Sequence, residues 1–282
     1  MALWFAYMMV AWCAGTSVRC ETQEIDVRRE DRLHWPGGVV HYSISENFTL
    51  QQDEWIRKAM NMIEQQTCII FEERPRTSYY LSPKTLYIMT GCGCTCKVGY
   101  HRYGSVLRLH KQCFKRIGHV VHELLHALGI RHEHQRFDRN YYIHINQTAI
   151  RMPYIRNFFR RRRRLSYVCN AGLPYDYGSI MHYPMVGFSK SRTQPIIFPI
   201  VPCAHVGQRK RMSSSDVARV NRLYACTDRY LGDNIPGAVP YMEWQRHVQK
   251  LRRLQTHIKC WRRSLLSPSM HRNTPQYSSM LQ

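Results

Sequence analysis

Acidic residues are scarce in this 282-residue chain: 19 Asp and Glu stand against 41 Lys and Arg, a formal net charge of +22. The chain also lacks a second apolar stretch approaching transmembrane length, internal repeats and any recognised nucleic-acid-binding module. These absences argue against a helical membrane span and a repeat architecture. They leave nucleic acid the weakest candidate among the polyanions such a surface attracts. The shortage of acid is not confined to one end. Residues 227–282 hold nine Lys/Arg and three Asp/Glu, so most of the excess lies before them. Acidic proteins, glycosaminoglycans of a matrix and anionic membrane surface remain as partners.

What is present suits a folded, exported protein. Hydrophobic residues make up 44% of the chain, enough for a sizeable core. The apolar stretch from Ala2 to Ala14 suits a secretory signal over residues 1–20 and is too short to cross a bilayer. Eleven scattered cysteines agree with an oxidising, extracellular compartment. Two sequons, at Asn47 and Asn146, are glycosylation candidates on that reading. Residues 21–34 are charged and aperiodic, as a short pro-segment or flexible amino terminus would be.

Residues 35–226 read as one α+β domain. Val39–Ser45 alternates as a strand, and Ile56, Met60 and Ile63 recur at helical spacing within 50–66. Cys68–Phe71, Thr85–Met89 and Ser105–Leu109 read as buried strands. A helix over 114–128, a strand over 141–145 and a helix capped at Ser213 follow, the last with Val217, Val220, Leu223 and Tyr224 inward. From residue 227 a Gly/Pro-bearing link leads into a basic amphipathic stretch over 241–266 and a polar end.

One segment carries chemistry. In His122-Glu123-Leu-Leu-His126-Ala-Leu-Gly129-Ile-Arg-His132 the first two histidines lie one helical turn apart, so their imidazoles can converge on one ion. Glu123 is offset by about 100° around the helix, near the ion but outside its ligand set. Gly129 suits the left-handed end of a helix, and the returning chain brings His132 in as a third nitrogen. Three protein ligands leave a position open, the pattern of a catalytic zinc rather than a structural one. The short form of this motif occurs by chance on surface helices. The added Gly129 and His132, each where the turn requires it, make the longer form specific.

The run from His122 through Asp138-Arg139 resembles the signature of the astacin family of metzincin zinc endopeptidases. Tyr175-Asp-Tyr-Gly-Ser-Ile-Met181-His-Tyr183 is similar to that family's Met-turn, and Val206-Gly-Gln-Arg and the final helix extend the likeness from Trp35 to Cys226. The resemblance implies a mostly parallel, twisted sheet with helices in an upper subdomain and an irregular lower subdomain with a C-terminal helix. One Zn2+ per chain would sit between them. It implies Tyr183 as a further metal ligand that swings away to steady the oxyanion, and Met181 as a hydrophobic floor. Glu133 would make a water-mediated contact with the amino terminus of the mature enzyme, and Arg136 and Asp138 would be structural. Glu123 would take a proton from a zinc-activated water and deliver it to the leaving amine.

The resemblance also pairs Cys68 with Cys226 and Cys94 with Cys113, although Cys92 and Cys96 flank Cys94 and either could take its place. A Cys169–Cys203 bridge would brace the lower half. The family's usual Phe-x-Gly-Asp latency motif is missing, which leaves Asp26 or a neighbouring carboxylate for that task. Arg160 to Arg164 reads either as a solvated loop or as an electrostatic collar for acidic substrates, which the family favours just after the cut. The expected protein is a secreted, monomeric zinc endopeptidase acting on protein or peptide substrates. Its rival is a catalytically silent secreted protein that uses the same fold and basic surface to bind a polyanionic matrix or coat.

Overall fold

The structure, a computed structural model, describes residues 33–75, 84–161 and 170–265, with side chains as far as Arg253. The expected signal, most of the expected pro-segment, Arg162 to Arg164, Cys169, the Cys260 side chain and residues 266–282 lie outside the described residues.

Regular structure begins where turn chemistry ends. Gly37 and Gly38 adopt φ of 64° and 73°, a region that glycine enters without a Cβ penalty. Strand β1 (Val39–Ile44) follows, with Val40 and Tyr42 buried. Helix α1 (Leu50–Glu64) opens on a capping box, in which Thr49 and Gln52 each accept the other's backbone N–H. Strands β2 (Ile70–Glu73), β3 (Leu86–Thr90), β4 (Cys94–Cys96) and β5 (Ser105–Leu109) complete a sheet of order β2-β1-β3-β5-β4. All neighbours run parallel except β4, an edge strand antiparallel to β5. β2 is not the buried strand suggested by its apolar residues. It forms the opposite edge, leaving Ile70 exposed, and only Ile69 just before it is buried.

Helix α2 (Ile117–Ala127) carries the histidine motif and packs with α1 and the sheet around one core, which includes Ile56, Ile63, Leu86, Leu107, Val121 and Leu124. Beyond α2 regular structure is sparse. Strands β6 (Ile143–Ile145) and β7 (Ile197–Pro199) form an antiparallel pair among short 3-10 turns, over a second cluster that includes Ile150, Phe158, Tyr175 and Ile196. This is the mostly parallel sheet with an irregular lower half that the resemblance implied.

Helix α3 (Ser214–Leu223) starts from a second capping box, Ser213 with Asp216. Its apolar stripe is only part of what it buries. Val217 and Val220 are inside as the spacing suggests, but so are Asp216, Arg219, Asn221 and Arg222, whereas Leu223 and Tyr224 are half-buried. Buried charge persists only when paired or hydrogen-bonded. Arg222 donates to the carbonyls of Leu231, Ala171 and Val239 and to Asp233. Those bonds fasten the chain after Cys226 to the domain, so this compact unit runs on to Tyr241. Disulfides join Cys68 to Cys226, 158 residues apart, and Cys94 to Cys113. Cys94, and neither Cys92 nor Cys96, takes Cys113. Helix α4 (Tyr241–Leu265) forms most of a second unit, which begins at Met242.

Gly118, in the first turn of α2, permits a close approach: a Cβ there would lie 2.3 Å from the carbonyl oxygen of Arg209. Gly118→Ala therefore forces backbone apart and should cost about 1–3 kcal/mol. A fall in Tm of roughly 2–4 °C per kcal/mol is expected by calorimetry. An unchanged melting curve would show that the two segments are not held this tightly.

Candidate metal centre

The centre is assembled by backbone carbonyls. His122 and His126 sit one turn apart on α2, both buried. His122 Nδ1 lies 2.8 Å from the carbonyl oxygen of Ile180, and His126 Nδ1 lies 2.7 Å from that of Ile130. A carbonyl only accepts, so each Nδ1 carries the proton and each Nε2 presents a lone pair. Both point at His132, whose Nε2 is 3.2 Å from that of His122 and 3.0 Å from that of His126. Burial, first among the causes, lowers the pKa of all three, to about 4 for His126, so they are neutral at pH 7. Convergent lone pairs repel unless a cation lies among them. Nitrogen ligands at about 2.0–2.1 Å from a zinc ion would be separated by roughly these distances. The three histidines form the one possible metal-binding cluster among the described residues, and they fit zinc.

The placement of His132 follows from how α2 ends. Gly129, at φ 93°, donates to His126 O, and Ile130 N donates to Leu125 O, the paired bonds of a Schellman turn. The reversal presents Ile130 O to His126 and swings the chain back to His132. Side chains from distant segments take other carbonyls of the helix end: Trp35 Nε1 donates to Ala127 O, and the Tyr224 hydroxyl to Leu128 O.

Glu123 lies beside this cluster. Burial pushes its pKa up to about 8, against the opposing pull of Arg209 and a hydrogen bond from the backbone N–H of Cys96 on edge strand β4. Its Oε2 is buried with no hydrogen-bond partner among the described residues. Such a carboxylate is poised to accept a proton. Tyr183 is also buried, its ring edge-on to His132 at 4.4 Å and stacked on His134 at 4.0 Å between centroids. Met181 is fully buried in the main core, and its carbonyl accepts from Glu133 N.

A match to the family model described as Astacin, a peptidase family, covers residues 27–225. The chain belongs to the astacin family. It is 39% identical over 203 residues to the low choriolytic enzyme of Oryzias latipes, a match spanning 70% of each chain. It is 36% identical over 198 residues to zinc metalloproteinase nas-14 of Caenorhabditis elegans, of which it spans 38%. Among solved structures, high choriolytic enzyme 1, a hatching enzyme zinc-protease from Oryzias latipes, matches with a TM-score of 0.62 and 31% identity. That match covers 75% of this chain and 100% of the other. The chain is thus a zinc-dependent metalloendopeptidase whose zinc ligands include His122, His126 and His132.

In this astacin the residues around the centre divide sharply by partner. Glu133 is fully buried, and its oxygens accept from Arg136, Arg219 and the backbone N–H of Asp176. Burial alone would raise its pKa, but Arg219 and Arg136 hold it down at about 2. Its contacts therefore come from within the domain, while any amino-terminal partner from residues 1–32 falls outside the described residues. Arg136 also grips Asp138 through two hydrogen bonds and reaches the carbonyls of Pro174 and Leu173. Arg161, the second residue of the arginine run, donates to the backbone carbonyl of His132, while Arg160 rests on Phe137. Asn47 is exposed before α1, and Asn146 is half-buried, with its Oδ1 accepting from Thr148.

Three residues of the centre are not evident from the sequence. Arg209 is half-buried, and its charge acts on Glu123, on Tyr183 and on all three histidines. Its motif, Val206-Gly-Gln-Arg, is visible without a role. Arg219 and His134 give no signal, because a helical arginine and a histidine in a polar run read as solvated.

Glu133 carries a pH signature. Its folded pKa lies below the ordinary value of 4.5, so it contributes stability above about pH 4.5 that is lost as pH falls towards 2. Glu133→Gln should cost about 3–5 kcal/mol at pH 7, since it leaves buried arginines short of charge, and should flatten the acid limb of the stability curve. Urea melts between pH 7 and 2.5 test this. Parallel curves for both proteins would refute the assignment.

Proposed function

We propose that the chain is a secreted endopeptidase in which Glu123 is the general base and acid, Tyr183 steadies the oxyanion, and Arg209 favours an acidic side chain next to the cut. The observation that carries this reading is the convergence of three Nε2 atoms, two of them turned inward as lone pairs by backbone carbonyls, beside a carboxylate oxygen that has no donor among the described residues. When bound, zinc supplies the positive charge that acidifies water and polarises the scissile carbonyl. Glu123 takes one proton as the water oxygen bonds to the carbonyl carbon. It returns that proton to the amide nitrogen as the C–N bond breaks, so the step balances. The Tyr183 hydroxyl, on a ring beside His132, donates to the oxygen that gains charge. Arg209 uses Nη1 on the carbonyls of His182 and Gln208, which fixes the guanidinium near Glu123 and Tyr183. There it complements a substrate carboxylate.

Secretion is supported by the apolar amino-terminal stretch and by the two disulfides, and no helix among the described residues is long and apolar enough to cross a membrane. A silent binding protein would have no chemical use for a buried carboxylate with one oxygen left without a donor, and would use the basic surface alone.

Glu123→Gln should lower kcat/KM on casein-derived peptides by roughly 10²–10⁴-fold while zinc stays at one per chain by atomic absorption. Activity that survives the substitution would sink the mechanism. Tyr183→Phe should lower kcat by roughly 10²-fold. Arg209→Ala should cut the preference for Asp over Ala immediately after the cut by about tenfold in a matched peptide pair. A preference that survives it would place acid recognition elsewhere.

A further inference from the structure

Over its described side chains, Met242 to Arg253, the second compact unit presents a cationic surface with a single acid. Helix α4 carries seven Lys/Arg against one acid, Glu243, and no Asp or Glu follows Glu243 anywhere in the chain. Arg246, His247, Lys250, Arg252 and Arg253 are exposed, while Trp244 and Val248 are buried and Leu251 is half-buried. Positions 246, 250 and 253 follow the i, i+4, i+7 rule and share one face over about 10 Å of axis. Like charges at these spacings repel one another and weaken an isolated helix. Bound anions would remove that penalty.

We propose that this face of α4, with Arg246, Lys250 and Arg253 at its centre, binds a linear sulfated polysaccharide and holds the peptidase on an extracellular polyanion. A lipid surface fits less well. A helix lying on a membrane turns its apolar stripe to the acyl chains, and here Trp244 and Val248 are buried while the cations are offered. A row of fixed cations along one face suits a flexible chain of regularly spaced anions, for which point charges and a salt-sensitive affinity suffice. The choice of an extracellular polyanion rests on the secreted reading above, whereas the placement on α4 rests on the helix itself.

The test uses the full-length secreted protein, a fluorescent heparin oligosaccharide and vesicles of phosphatidylserine and phosphatidylcholine. The triple variant Arg246→Glu/Lys250→Glu/Arg253→Glu should weaken heparin binding at least about tenfold at physiological salt and make its salt dependence shallower. Its kcat/KM on a short peptide should match the parent protein, because none of these residues belongs to the metal centre. If that variant does not accumulate, the triple Gln variant takes its place, with a smaller loss of affinity. Unchanged heparin affinity in a folded variant would overturn the proposal and move binding to another part of the +22 chain. Tighter binding to vesicles than to heparin, abolished by Val248→Asp, would overturn it in favour of a membrane. Loss of peptide hydrolysis in Glu123→Gln bears only on the catalytic reading, so the two can fail separately.

Discussion

Two carbonyl oxygens, those of Ile180 and Ile130, decide what the buried histidines can do. Each accepts the Nδ1 proton of one imidazole and so turns the other nitrogen's lone pair inward. Much of the surrounding chain exists to place those oxygens. Asp216, in the capping box of α3, accepts from Ile180 N, Ser179 Oγ and Ser213 N, fixing the segment that presents Ile180 O. Gly129 and the paired bonds of the α2 terminus present Ile130 O. A helix cap and a helix end, features usually assigned to local stability, here set the tautomers of the ligands.

Glu123 and Glu133 show how partners decide a role. Both are buried, and desolvation raises the pKa of each. Glu133 meets two guanidinium groups and a backbone N–H, and settles at about 2. Glu123 has one backbone N–H and the more distant Arg209, and rises to about 8. The first is a permanent anion that knits the end of the motif to α3. The second can exchange a proton near neutrality. The same residue type, ten positions apart, is held ionised in one place and readily protonated in the other, because one has arginines in contact and the other does not.

What the sequence makes legible follows the same division. Local periodicity places α1, β1, β3, β5 and α4, because one buried face or one strand pattern suffices. The histidine motif is legible because its spacing encodes a helix turn and a reversal. β2 defeats such a reading: Cys68–Phe71 has the composition of a core strand, but its position at the sheet edge is a property of topology. The buried polar residues of α3 are equally hidden. Asp216, Arg219 and Arg222 look like a solvated helix face until Ile180, Glu133 and Asp233 arrive from elsewhere in the chain. β4 gives no signal because three residues carry no period, and yet the backbone N–H of its Cys96 donates to the Glu123 carboxyl group.

The same partners bear on the excess of positive charge. Several arginines in the count are interior structural groups. Arg136, Arg139, Arg219 and Arg222 are buried, and each has specific carboxylates or carbonyls to donate to. Burial, followed by the charge of nearby Arg160, lowers the pKa of Arg139 to about 10, and its guanidinium donates to the carbonyls of His134 and Phe158. Such groups add to net charge but offer nothing to a partner in solution. Arg209 and Arg161 stand between, half-buried and tied to backbone carbonyls near the metal centre. Arg246, Lys250, Arg252 and Arg253 of α4 are different again: they are exposed, and the helix that carries them supplies a single acid. Among the described residues the cations therefore include three groups with separate surroundings: those inside the fold, those at the metal centre and those facing solvent. Only the last presents its charge outward to solvent, and so the location of each arginine matters more for recognition than the total.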